Sequence, residues 1–165
     1  MSDATLYNHF ATMEAMARAL KAVGHSDRHP RFFKAWGLED LFTLHDKIST
    51  VRDFILIAVD GYETQSRDNH GDGLSETRQY GVIIARSAPN DNPAKIASAF
   101  EESRTLLLGV RNRLLQDPAL LDYINRDTEL TGIGPIGDNF YGCLLSFSLT
   151  VPEDWTVDES LFNDL

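Results

Sequence analysis

The chain has 165 residues, and its 15 Lys and Arg against 25 Asp and Glu give a formal net charge of −10. Hydrophobic residues make up 42%, which is too apolar for a disordered polypeptide, and the length is that of one domain able to bury a core without a metal or disulfide staple. The acidic excess excludes a nucleic-acid grip, which needs a stripe of Lys and Arg to replace phosphate counterions.

The charge is uneven. Residues 1–52 carry seven basic and six acidic side chains, whereas from Ala119 onward nine acidic residues face one basic residue, Arg126. No apolar run approaches the roughly 20 residues that span a bilayer. No basic region followed by an apolar one opens the chain, so neither a secretory signal nor a membrane partner is expected. The single cysteine, Cys143, fits a reducing compartment.

Residues 3–22 read as a helix, because Leu6, Phe10, Met13, Ala17 and Leu20 fall on one stripe. Ser2 or Asp3 is the expected cap and Gly24 the expected stop. His25–Pro30 is a polar break, and Arg31–Trp36 is a short aromatic strand or helical turn. Leu38, Leu41, Phe42, His45 and Ile48 repeat at helical spacing. With Glu39 and Asp40 early and Lys47 late, they predict a helix over 38–48.

Phe54–Val59 is apolar in every position and reads as a strand covered on both faces. Tyr80–Ala85 is its return strand. The two make a long hairpin with a polar tip at Arg67–Gly73, where turn formers crowd. Asn92 then caps, Pro93 takes the first helical position, and Ile96, Phe100, Ser103, Leu107, Val110 and Leu114 form one face of a helix over 93–116. Tyr123–Leu130 suggests a polar edge strand, and Gly132–Asn139 a turn. Cys143, Leu145, Phe147, Leu149 and Val151 alternate with Leu144, Ser146, Ser148 and Thr150 as a strand with one face on the core.

The expected architecture is α+β. It is a single, mainly antiparallel sheet of about four strands with a long hairpin and with helices packed on one face. Residues 1–152 form the domain. Residues 153–165 form an acidic tail with apolar anchors at Trp155, Leu161 and Phe162.

Motifs for chemistry are sparse. Gly132-Ile133-Gly134-Pro135-Ile136-Gly137 fits a dinucleotide pattern, but a proline interrupts it and a strand follows, so it reads as a turn. Asp68, His70, Asp72 and Gly73 hint at a calcium loop whose third and twelfth positions are wrong. His25 and His29 have ligand spacing on a helix, yet Pro30 disfavours helix there. Cys143 sits on the apolar side of its strand and reads as a small buried residue. Arg28, Arg31, Phe32, Phe33, Lys34 and Trp36 interleave bases with aromatics, as single-strand binders do. Packed aromatics with outward charges are the reading adopted. No catalytic residue, cofactor site or metal site is expected, and the chain reads as a non-enzyme.

The order of elements resembles that of tail-completion and tail-terminator proteins of long-tailed bacteriophages and prophages. The resembling pieces are Phe54–Val59, Tyr80–Arg86, Asn92–Gln116 and the run from Gly134 to Phe147, together spanning roughly residues 38–151. The resemblance implies a ring-forming structural subunit, commonly a hexamer, that caps or joins a tail tube. Its partners would be other copies of itself and other tail or neck proteins, in the bacterial host cytoplasm or the virion. An acidic surface suits DNA that must pass without sticking. The candidate subunit interface is Arg67, Asp68, His70 and Asp72 at the hairpin tip with Trp155 and Phe162 in the tail. Two other classes stay open. One is a small enzyme or ligand-binding domain using His25, His29, Asp68 and His70. The other is an acidic interaction or inhibitor protein presenting Glu153, Asp154, Asp158 and Glu159.

Overall fold

The computed structural model describes residues 7–164. The expected start of the first helix over residues 3–6, and its caps Ser2 and Asp3, lie outside the described residues. Helix α1 runs over His9–Ala19, and Asn8 caps it by accepting from the Ala11 amide. Gly24, with φ of 59°, closes the turn after it by donating to the Leu20 carbonyl.

Strand β1 (Phe32–Ala35) follows, then a 3₁₀ segment (Leu38–Leu44) that runs into the single turn of α2 (His45–Ile48). Strand β2 (Ile55–Val59) leads through Asp60–Glu63 to β3 (Thr64–Asp68). Strand β4 (Leu74–Ser87) then spans fourteen residues. Helix α3 (Pro93–Leu115) starts at Asn92, whose side chain accepts from the Lys95 amide. Strands β5 (Glu129–Ile136) and β6 (Phe140–Glu153) complete a six-stranded sheet of order β1-β2-β4-β6-β5, with β3 paired to β4 beyond the end of β2. The fold is α+β with a mostly antiparallel sheet. The β1–β2 pair is parallel.

The sheet sits between two buried clusters, and strand alternation divides the side chains between them. Leu56 and Ala58 of β2, Val82 and Ile84 of β4, and Leu145 and Phe147 of β6 meet Met13 and Ala17 of α1 and Leu107 and Val110 of α3. On the opposite face Ile55 and Ile57, Ile83 and Ala85, and Phe140 meet Leu44 and Ile48. This is why β2 is apolar throughout.

The structure corrects the expectation in four places. The sheet has six strands rather than about four: Phe32–Ala35, which the sequence leaves open as a strand or a helical turn, is a parallel edge strand, and Thr64–Asp68 in the hairpin arm is a separate strand from Ile55–Val59. Cover is not confined to one face: α1 and α3 lie on one side and the 38–48 segment on the other, where Leu44 and Ile48 bury against the odd residues of β2. Of the polar stretch 123–130, the part before Glu129 supplies an isolated bridge, Ile124 to Leu149, and the strand proper starts at Glu129. Most of Gly132–Asn139 is strand as well. The glycines there serve close approach: a Cβ on Gly132 would lie 3.3 Å from the Phe100 ring, and one on Gly134 would lie 2.8 Å from the Tyr141 ring. The turn is only Gly137 to Asn139, with Gly137 at φ of 59°.

The long hairpin also differs in detail. Strand β3 pairs with Leu74–Arg78 of β4, while the other edge of that stretch pairs with Leu149–Glu153 of β6. The projecting arm is therefore at least three strands wide, and Tyr123 and Asn125 bond β6 along its outer edge near the base.

Leu107 is fully buried. Leu107→Ala is expected to lower the unfolding free energy by about 2–5 kcal/mol in chemical denaturation. Two glycines should respond in opposite directions. An added Cβ on Gly142 would run into the Ile84 carbonyl and the Ala85 Cα, so Gly142→Ala should be severely destabilising. A Cβ on Gly109, exposed in the middle of α3, meets nothing within 4 Å, so Gly109→Ala should stabilise by about 1 kcal/mol.

Candidate functional site

The start of α1 meets the sheet where β2 gives way to β3. A cavity of about 450 Å³ opens there, lined by Tyr7, His9, Asp60, Glu76, Arg78 and Tyr80 among others. His9 is buried in its wall. Its Nε2 lies 2.8 Å from the Gly81 carbonyl and its Nδ1 2.9 Å from the Tyr7 hydroxyl. The carbonyl can only accept, so Nε2 carries the proton and Nδ1 accepts from Tyr7. Tyr80 and Phe147 pack around it, with ring centroids 4.8 and 5.8 Å from the imidazole.

Burial sets the protonation of this group. It lowers the His9 pKa to about 4, against the opposing pull of the Gly81 carbonyl. Burial likewise pushes the Tyr7 and Tyr80 hydroxyls up. Loss of the Nε2 proton would break the bond to Gly81 that holds α1 to β4, and uptake of a proton at Nδ1 would cost the bond accepted from Tyr7 and bury a charge. The arrangement is that of a latch rather than a general base. The charged groups nearby are also engaged. Arg78 places Nε and Nη2 at 3.1 and 2.9 Å from one Glu76 oxygen, with both side chains largely buried.

An aromatic stack borders the cavity, with Phe10 and Tyr62 in its lining. Phe10 meets Trp36 edge-on at 4.9 Å, and Trp36 lies nearly parallel to Tyr62 at 5.8 Å. Trp36 is 59% exposed and Tyr62 72% exposed. Tyr62 holds φ of 53°, and its amide donates to the Asp60 carboxylate. A bulky residue in the left-handed region is strained.

The residues singled out from sequence are dispersed. Arg67, Asp68, His70 and Asp72 are exposed at the arm's tip. There Asp68 accepts from the His70 amide, Asn69 accepts from the Gly71 and Gly73 amides, and Arg67 donates to Gln65. Trp155 and Phe162 in the tail are 67% and 52% exposed. His25 lies beside α1: its Nδ1 accepts from the Arg31 and Phe32 amides and its Nε2 sits 3.5 Å from Glu14. The set His25, His29, Asp68 and His70 does not converge, being split between the start of β1 and the arm's tip. Among the described residues no three His, Cys, Asp or Glu side chains are grouped as metal ligands. Cys143 is buried with its Sγ 3.5 Å from the Phe100 carbonyl, and burial pushes its thiol up. The basic and aromatic run from Arg28 to Trp36 follows the expectation in part: Phe32 and Phe33 pack half-buried on opposite faces of β1 and Lys34 is exposed, but Trp36 stays largely outside the core.

Sequence reasoning missed the latch and the aromatic stack. A signal for the latch was present. His9, Met13, Met16 and Ala17 are spaced i, i+4, i+7 and i+8, and all four are buried. A histidine in an apolar stripe does not stand out in a pattern built from apolar residues alone. No protein-family model matches the chain, and neither does any curated protein.

The latch makes stability depend on pH. The unfolded His9 titrates near 6.5 and the folded one near 4, so between these values the unfolded chain binds more protons. Stability is fully present above pH 6.5 and declines as pH falls toward 4, by about 3 kcal/mol at most. His9→Gln should lessen that slope in denaturation curves recorded across the window.

Proposed function

We propose that the protein is a ring-forming structural subunit of the tail-terminator or tail-completion kind, which caps or joins the tail tube of a long-tailed bacteriophage or prophage. The observation that carries this reading is the arm. All five residues of β3 are exposed, and among the described residues β3 pairs on one side only, with β4. An extended strand with an open edge beyond the body is a liability for a solitary domain unless a partner covers it. A contact between two different surfaces of identical chains closes into a ring when its rotation permits. The order of elements supports the same reading: a leading helix, a long β-hairpin, a helix crossing the sheet, and a glycine turn into the final alternating strand. The acidic excess of the last third would let DNA pass such a ring without adhering. The protein would then work in the bacterial cytoplasm during assembly and in the finished virion.

A second reading rests on the cavity beside His9, whose volume is within the range of small-molecule sites. It takes the chain as a ligand-binding domain. Its polar groups are largely satisfied by one another, which favours the first reading.

Sedimentation and electron microscopy separate the two. The wild-type chain should form closed rings, alone or on purified tail tubes. Replacing Gln65–Leu74 by an Asn-Gly turn should leave a folded monomer that no longer assembles. A chain that stays monomeric with and without tubes, and whose melting temperature rises with a small ligand, would overturn the ring reading.

A further inference from the structure

Two surfaces at opposite ends of the molecule have complementary chemistry. The first is the segment 154–164. It exposes Trp155, Val157, Leu161 and Phe162. With Glu153 it carries five acidic side chains and no basic one. Its hydrogen bonds run within the segment, Asp154 accepting from Thr156 and Asp158 from Ser160. Nothing in these bonds ties it back to the sheet.

The second surface is a groove of about 490 Å³ between β1 and the 3₁₀ segment. Phe32, Phe33 and Trp36 give it aromatic walls, and the exposed residues Lys34 and Lys47 stand on it, the Lys34 ammonium 5.5 Å from the centre of the Phe10 ring. Its one acid, Asp40, accepts from the Trp36 amide and the Thr43 hydroxyl and keeps its charge near Lys47, so the two lysines leave the rim net positive by one charge. The groove therefore offers apolar surface with a basic rim, and the tail offers apolar side chains with an acidic background.

We propose that segment 154–164 of one copy docks in the β1 groove of the next copy. The contact supplies the head-to-tail joint of the ring, and its closure rests on the ring reading above. Geometry favours the neighbour over the chain's own groove. The tail leaves β6 beside Leu74, whereas β1 ends level with Gly81. Seven strand residues separate the two levels, about 24 Å, whereas Trp155 stands two residues past the end of β6 and reaches only about 7 Å from it. The mode of docking also follows. A peptide commonly joins a sheet edge by adding a strand. Here the outward amides of Phe32 and Trp36 are already taken by His25 and Asp40. Lys34 has the one outward strand amide left between them. The tail is therefore held by side chains, aromatic against aromatic and carboxylate against ammonium, rather than by backbone pairing.

Two full-length variants test this. W155S/F162S removes the tail's anchors, and K34E/K47E reverses the rim of the groove. All four positions are exposed, so both variants should melt like the wild type. A fluorescent peptide of residues 153–165 should bind W155S/F162S, whose groove is vacant. It should bind K34E/K47E at least about tenfold more weakly, and added salt should weaken the first binding. In sedimentation each variant alone should be monomeric. An equimolar mixture should give a pair, since one variant keeps the tail and the other keeps the groove. Undiminished peptide binding to K34E/K47E, no peptide binding to either variant, or a mixture with no pair would overturn the proposal. The ring reading fails separately. Rings that persist in W155S/F162S sink the docking and leave the ring. A wild type that never closes, though the peptide binds the groove, sinks the ring and leaves the contact.

Discussion

The pairing of β4 with β6 is the constraint on which the rest of the molecule depends. The two strands lie antiparallel in register over fourteen residues, from Leu74 beside Glu153 to Ser87 beside Phe140. Their inner halves supply Val82, Ile84, Leu145 and Phe147 to one core cluster and Ile83, Ala85 and Phe140 to the other. Their outer halves leave the core and become the arm. A slip by one residue would turn every one of these side chains to the wrong face. Gly142 guards the register: at the level of Ala85 the backbones approach so closely that no side chain fits. The body and its projection are thus one continuous ribbon, and the arm is held by pairing that the core has already fixed.

Much of this was legible in the chain because pattern and burial coincide. The helix 93–116 was readable from Asn92, Pro93 and a regular apolar face, and it is found at Pro93–Leu115. The continuous apolar run 54–59 announced a strand buried on both faces. What the run could not say was what covers each face. The second cover is a 3₁₀ segment whose only fully buried residue is Leu44, followed by Ile48 of α2, too little apolar content to announce a layer of its own. Strand β1 was left open as a strand or a turn because four residues carry no period, and its parallel partner lies twenty-four positions away. The glycines of β5 misled in the opposite sense. They signal turns in general, but here they make room for the Phe100 and Tyr141 rings.

The candidate sites were less legible than the fold. The arm's tip and the tail were identifiable as surface, since turn formers and acids cluster there. The latch joins residues seventy-two positions apart, His9 and Gly81, through a backbone carbonyl that no side-chain pattern reveals. The aromatic stack gathers Phe10, Trp36 and Tyr62 from three separate segments. Such groupings are properties of topology, and single-chain periodicity is blind to them.

The division of the core between two faces has a consequence for how the chain acquires its order. On the odd face of β2, Ile55 meets Leu44 and Ile48, residues that precede it by eleven and seven positions. On the even face, Leu56 waits for Leu107, fifty-one positions later; both clusters also take residues from β6, but only the odd face finds its cover this close in the chain. Closing a short loop costs less entropy than closing a long one, and local contacts form sooner. The small cluster built around the 3₁₀ segment is therefore the cheap one to form. The large cluster under α3 is the one that commits the whole chain, so cooperativity in this protein resides on the side of the sheet where the long helices lie.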